Sequence, residues 1–312
     1  AGMAQARLDV VEGNVLYRMA HLEAARTAYE RAIAIVEEVR GADDPLLSTY
    51  LGNLGNVHYL AHRRELALET FERAAKLAEG AYGPEHPNTA TIYFGLSNVL
   101  TDLGRHDEAE QRLEQARDIL RESYGDDHPF TIGAMCNLGV VEQNRGRHAR
   151  ALQYFTDCRD RRAKTIGTDH PDYALALLNI GRALRELGRL DEARPQLDAA
   201  WALRRRVLGP DHLDTISAVV ELGQLARLTG DRRGALDRFA EAIAAFERTG
   251  GDPLGLASAR FGYAQASVEE SGPNARALEL AEQARAAYAA DRSSDGAALR
   301  EVEHWLSAQR RP

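Results

Sequence analysis

Apolar side chains recur along this chain at helical spacing, in paired runs. Within residues 173–187, Leu177, Ile180 and Leu184 fall three and four positions apart, which places them on one face of an α-helix. That run begins after Pro171 and stops at Gly188–Arg189, and a second amphipathic run fills about 191–208. The pair returns every 42 residues, with Gly104–Arg105 and Gly146–Arg147 matching Gly188–Arg189. A fixed period of this size marks one supersecondary unit repeated along a solenoid. Two apolar runs joined by a short break predict antiparallel helix pairs.

The segment between pairs repeats almost word for word. It reads Tyr82–Gly83–Pro84–Glu85–His86–Pro87, then Tyr124–Gly125–Asp126–Asp127–His128–Pro129, then Ile166–Gly167–Thr168–Asp169–His170–Pro171. Leu208–Gly209–Pro210–Asp211–His212–Leu213 follows, and degenerate forms stand at Gly41–Ala42–Asp43–Asp44–Pro45 and Gly251–Asp252–Pro253. Each position has a physical reason. Gly125 suits a helix end that needs a left-handed residue. Pro129 suits the first helical position, where its missing N–H costs nothing. His128 precedes a proline and is pushed out of the helical region. Asp126 and Asp127 place negative charge beside the next helix N-terminus. The motif therefore belongs to the scaffold, and its histidines are expected to cap and pack rather than to bind metal.

Small residues mark close helix crossings. Alanine holds one second-helix position throughout, at Ala25, Ala67, Ala109, Ala151, Ala193, Ala235 and Ala277. Twelve residues earlier stand Gly13, Gly55, Ser97, Gly139, Gly181 and Gly223, and only Gln265 departs. Seven residues after the alanine come Ala32, Ala74, Ala116, Cys158, Ala200, Ala242 and Ala284. Between them runs a column of large residues: Tyr29, Phe71, Leu113, Phe155, Leu197 and Phe239. A glycine inside a helix costs about 1 kcal/mol against alanine, so its recurrence requires close approach of the two helices.

This order of glycine, alanine, large residue and small residue resembles the tetratricopeptide repeat (TPR). The 42-residue period with its G-x-D-H-P turn is similar to the kinesin-light-chain-like subclass, which is also found in bacterial signalling and regulatory proteins. The likeness covers residues 1–290 and is specific for fold. It implies an all-α, right-handed superhelical α-solenoid of seven helix-turn-helix repeats, forming a single domain over 1–312. The repeats are placed at about 2–38, 44–81, 86–123, 128–165, 170–207, 212–248 and 254–290. A capping helix over 296–310 carries Leu299, Val302 and Leu306 on one face, as the last layer of a solenoid needs. Looser packing is expected in the seventh repeat, where Ala281 replaces the large column.

Composition narrows the function. A net charge of −8 disfavours nucleic acid and anionic membranes as general partners. Lys76 and Lys164 are the only lysines, so arginine carries nearly all the positive charge. Two cysteines, Cys136 and Cys158, and no signal peptide suggest a reducing, cytoplasmic setting. Cys158 falls in the small core column; a reactive thiol at Cys136 is the alternative to a structural role. The chain opens on Ala1–Gly2 without a methionine and is read as an excised domain. No run approaches the length of a membrane span.

No catalytic signature is present. Neither lysine follows a glycine, which excludes a phosphate-binding G-x-x-x-x-G-K-[ST] loop. Gly95–Leu96–Ser97 lacks the closing glycine of a G-x-S-x-G elbow, with Val99 in its place. His58 and His62, with Glu65 near, have a spacing open to zinc, but His58 sits three residues after Gly55 where the repeat buries a side chain. No enzyme activity, cofactor or metal is expected.

In repeats of this family the first helices line a concave groove, and the inward positions lie two before, one after and four after the glycine column. The candidate binding residues read from those columns are Asn14, Tyr17, Asn56, Tyr59, Asn98, Asn137, Gln143, Asn179, Arg182, Arg185, Gln224 and Arg227. Asparagine is a mediocre helix former, yet its amide offers both donor and acceptor to a peptide backbone. The resemblance implies that such asparagines hold a ligand's main chain; bridging between repeats is the competing role. Arg182, Arg185 and Arg227 should cluster and suit a carboxylate or phosphate, unless Glu186 and Glu221 neutralise them.

The reading is a non-enzymatic binding module whose groove takes a protein or an extended peptide, with an acidic segment at the arginines. The alternatives are a sensor array from a larger nucleotide-binding signalling ATPase, contacting other domains of its own chain, and, less favoured, nucleic-acid binding.

Overall fold

The computed structural model describes residues 2–291 and 296–309. Among them are fifteen α-helices and no strand, so the protein is an all-α solenoid of helix pairs. The contacts divide it into two compact units, residues 1–144 and 145–312. The first unit holds α1 (Gly2–Arg18), α2 (Leu22–Arg40), α3 (Leu46–Leu60), α4 (Arg64–Tyr82), α5 (Pro87–Asp102), α6 (His106–Tyr124) and α7 (Pro129–Asn144). The second holds α8 (His148–Thr165), α9 (Pro171–Glu186), α10 (Leu190–Leu208), α11 (Leu213–Leu228), α12 (Arg232–Thr249), α13 (Pro253–Ser271), α14 (Ala275–Ala290) and α15 (Ala297–Gln309). The fourth repeat thus gives one helix to each unit. The expected end of the last helix at 310 falls outside the described residues.

Within each unit every helix packs on the next, and first helices of successive repeats also touch: α1 with α3, α3 with α5, α5 with α7, and α9 with α11, α11 with α13. The glycine column explains how the pairs close. A Cβ at Gly13 would stand 2.7 Å from the Tyr29 ring, one at Gly55 2.8 Å from Phe71, and one at Gly223 2.8 Å from Phe239. Each large side chain thus lies flat on its own repeat's glycine. Phe71 and Phe239 also meet the glycine of the following first helix, where a Cβ at Gly95 or Gly262 would come within 2.4 or 2.5 Å. The alanine column is fully buried in all seven copies.

The turns depart from expectation in one respect. Gly83, Gly125 and Gly209 have φ near +90° with ψ of 160°, 170° and 164°. That is the mirror image of the extended region, not the left-handed helical well, and it is open essentially to glycine alone. Gly250, between the sixth and seventh repeats, does take the left-handed well, with φ +67° and ψ 14°, and positive φ of +72° to +80° recurs at the turn inside repeats at Gly104, Gly146, Gly188 and Gly230. The first two repeats place Ala20 (φ +58°) and His62 (φ +56°) at that position.

The motif histidines cap helices. His86, His128, His170 and His212 each accept, through Nδ1, the backbone N–H two residues on, at 3.1 to 3.3 Å. Tyr82 stacks on His86 at 4.9 Å, and Tyr124 packs tilted against His128 at 4.6 Å. The seventh repeat is closed rather than loose. Ala277, Ala281 and Ala284 are fully buried, and Phe261 meets Trp305 of α15 edge-on at 5.7 Å. Val302 and Leu306 seal the same core.

Candidate functional site

In the first unit, α1, α3, α5 and α7 bring the inward columns side by side. Asn14 is exposed, while Tyr17, Asn53, Asn56, Tyr59, Asn98, Asn137 and Gln143 are half-buried. Asn14, Tyr17, Arg18, Tyr29, Asn53 and Asn56 line one cavity of about 300 Å³. Its back wall is set by packing: Tyr29 lies on Gly13 and donates its hydroxyl to Asn14 Oδ1 at 2.7 Å. Burial, followed by the neighbouring Tyr17, pushes the Tyr29 hydroxyl up to about 12. Burial also raises Tyr17, so both phenols stay neutral donors. The Tyr17 hydroxyl and the amides of Asn53 and Asn56 have no hydrogen-bond partner among the described residues.

Further along this face the polar groups satisfy one another. Asn137 Nδ2 donates to Asn98 Oδ1 at 2.5 Å, joining α7 to α5. Tyr59 is raised by burial and then by the charge of Asp102, whose carboxylate accepts from Arg64 Nε at 3.2 Å. Gln143 keeps its side-chain oxygen buried without a partner. The asparagine row therefore has two roles. Asn98 and Asn137 bridge repeats; Asn53 and Asn56 stay open.

In the second unit Arg182, Arg185 and Arg227 lie on α9 and α11, and each has a carboxylate. Arg182 Nε donates to Glu221 Oε1 at 2.8 Å. Arg185 Nη2 sits 2.8 Å from Glu186 and 3.5 Å from Glu221. Arg227 donates to Glu269 at 2.6 Å and, through Nε, to Gln224 at 3.4 Å. Burial alone would raise the Glu221 carboxyl, but the charges of Arg182 and Arg185 and the Arg182 hydrogen bond outweigh it and hold it low. The cluster is thus compensated internally. Asn179 is half-buried on the same helix with no partner among the described residues.

Three further observations concern residues singled out by sequence. Neither Cys136 nor Cys158 carries a free thiol, which removes the reactive-thiol reading and the cysteine argument for a reducing compartment. His58 is buried on α3 while His62 turns the chain between α3 and α4, and no group of three metal-ligating side chains converges among the described residues. No described helix is long and apolar enough to cross a membrane.

The candidate set missed Asn53 and Arg18. Asn53 was visible as a member of the same column as Asn137 and Asn179; Arg18, at the end of α1, carried no periodic signal. Also missed were Arg162 and Arg204, 42 residues apart, whose Nη1 atoms reach the carbonyls of Asp172 and Asp214 at 2.6 and 2.7 Å and tie a second helix to the next first helix.

The tetratricopeptide repeat family model matches residues 5–80, 51–122, 96–164, 130–200 and 172–248. The chain belongs to the tetratricopeptide repeat family. A search of curated proteins by sequence gave no match. Solved TPR-type structures share the fold. The Rap conjugation gene regulator of plasmid pLS20, solved with a Phr peptide, is 15% identical over 93% of this chain and 75% of its own, with a TM-score of 0.67. A Rap protein complexed with competence and sporulation factor is 14% identical over 98% of this chain and 100% of its own, TM-score 0.63. The nearly identical TPR-like repeats of a kinesin-light-chain-like protein from Podosopora anserina are 20% identical over 67% of this chain and 99% of theirs, TM-score 0.54.

Proposed function

We propose that this TPR protein is a non-catalytic binding module, and that the first-helix face of residues 1–144 takes an extended peptide. The observation that carries the proposal is the cavity between α1 and α3, where two neutral tyrosines stand beside three asparagine amides. Half-buried amides without partners are costly unless a ligand or water satisfies them. Asn53 and Asn56 each offer a donor and an acceptor, which matches a peptide bond irrespective of its side chains. The Rap structures, solved with a Phr peptide and with competence and sporulation factor, support a peptide as ligand class.

An acidic anchor at the arginines is not part of this proposal, because Glu186, Glu221 and Glu269 already occupy them. Nucleic acid loses its main attraction for the same reason. The test is a peptide-library screen on the natural protein and on Tyr17→Ala and Asn56→Ala. Ligands selected by the natural protein should bind at least roughly tenfold more weakly to either variant, a loss of about 1.4 kcal/mol. Unchanged binding in both would end the reading.

A further inference from the structure

On the second helices, two successive layers build an arginine–aspartate staple, whereas the corresponding positions of the earlier layers hold Asp127 and Lys164, Glu85 and Glu122, and Asp43 and Gly80. Arg206 in the last turn of α10 binds Asp169 of the preceding turn at 2.6 Å, and Arg248 in the last turn of α12 binds Asp211 in the same way. The two pairs are 42 residues apart at both members. Subtracting 126 from 169 and 206 gives the corresponding members in an earlier layer, Asp43 and Gly80. There the aspartate is kept and the arginine is missing.

What remains is a notch of about 540 Å³ lined by Ala42, Asp43, Pro45, Arg73, Lys76, Leu77, Gly80 and Ala81. Asp43 and Lys76 have no partner among the described residues, while Arg73 is engaged by Glu37 at 2.5 Å. Gly80 differs from the packing glycines. A Cβ there would meet nothing within 4 Å, so no neighbouring side chain demands its smallness. It is also unfavourable within a helix. Its effect is to leave open the space in front of Asp43.

We propose that this notch binds the arginine side chain of a partner polypeptide, supplied in trans where Arg206 and Arg248 are supplied in cis. The guanidinium would pair with the Asp43 carboxylate, and its stem would lie over Leu77, Gly80 and Ala81. Lys76 adds a positive charge on the same notch, which disfavours a basic run and favours an arginine followed by an acidic residue. None of the lining residues belongs to the candidate groove columns, so the notch is a second site.

The test is anisotropy titration of the whole chain with a short fluorescent peptide containing Arg-Asp, against the same peptide with citrulline for arginine. Citrulline keeps the shape and removes the charge. The arginine peptide should bind up to roughly fivefold more tightly, the upper range of one exposed ion pair, and Asp43→Asn should erase the difference. Gly80→Arg supplies the staple in cis; it should raise the thermal midpoint and also erase the preference. Equal binding of the two peptides, a preference that persists in folded Gly80→Arg, or a lowered midpoint for that variant would overturn the proposal. So would a preference lost in Asn56→Ala but kept in Asp43→Asn, because the peptide would then lie in the groove.

Discussion

The side chains of Asn98 and Asn137 are bonded to each other at 2.5 Å, each on the first helix of its own repeat. Residues that looked alike as ligand-holding asparagines are therefore divided: Asn98 and Asn137 bond across repeats, whereas Asn53 and Asn56 stay open. Truncating Asn98 leaves a half-buried amide on Asn137 unsatisfied, and the reverse. Asn98→Ala and Asn137→Ala should each cost about 1 kcal/mol or more of stability, with a double-mutant coupling of 0.5 kcal/mol or above on the scale expected for contacting residues. Denaturant unfolding of the two single variants and the double variant reads this directly. Asn56→Ala, which breaks no hydrogen bond, should be near neutral in the same assay.

The turns inside the repeats offer a sharper contrast. Ala20 and His62 hold positive φ at a position where Gly104, Gly146, Gly188 and Gly230 stand in later repeats. A non-glycine residue there costs on the order of 1 kcal/mol or more. His62→Gly and Ala20→Gly should each raise the thermal midpoint, although glycine's greater freedom in the unfolded chain offsets part of the gain. Gly188→Ala should lower it by the converse strain. Calorimetry of the three variants suffices.

His58 makes stability depend on pH. Burial, and then the charge of Arg63, lowers its affinity for a proton below the ordinary value of 6.5. The unfolded chain binds the proton near that value and the folded chain only at lower pH. Between those two values the unfolded state holds more protons, so stability rises with pH and is lost as pH falls below about 6.5. The slope from this residue approaches at most about 1.4 kcal/mol per pH unit. His58→Leu should flatten that limb in denaturation midpoints measured from pH 7 to pH 5.

The capping histidines call for a chemical comparison. His170 accepts a backbone hydrogen bond at Nδ1 from Asp172, 3.1 Å away. His170→Ala should cost about 1 kcal/mol, whereas His170→Asn, with an oxygen that accepts the same bond, should retain most of it. Amide exchange at Asp172 reports the cap locally.

The helix pairs, their boundaries and the role of the G-x-D-H-P turn were legible because one unit is written many times. Any column that is small in every copy must be a crossing, and Gly13 under Tyr29 shows it. Legibility fell where the copies differ. Nothing in the spacing distinguishes Asn56, which stays open, from Asn98, which is bonded across to the next repeat, since both sit one residue after the small column. The fate of Arg182 and Arg185 depended on whether Glu221 and Glu186 come within hydrogen-bond reach, a question of a few ångströms that periodicity leaves open. The turn glycines were anticipated as left-handed, and only the dihedral angles separate that well from the mirror-extended one.

Phe71 and Phe239 each lie between the glycine of their own first helix and that of the following one, at Gly55 and Gly95 and at Gly223 and Gly262. Such a ring belongs to two layers at once. If the following layer peels away, the ring loses one of its faces to water, so the exposed area appears in both layers together. Loss of one repeat therefore weakens the next, and opening should spread as a block rather than helix pair by helix pair. Under a pulling force the same rings would act as latches, holding two repeats until both yield in a single step.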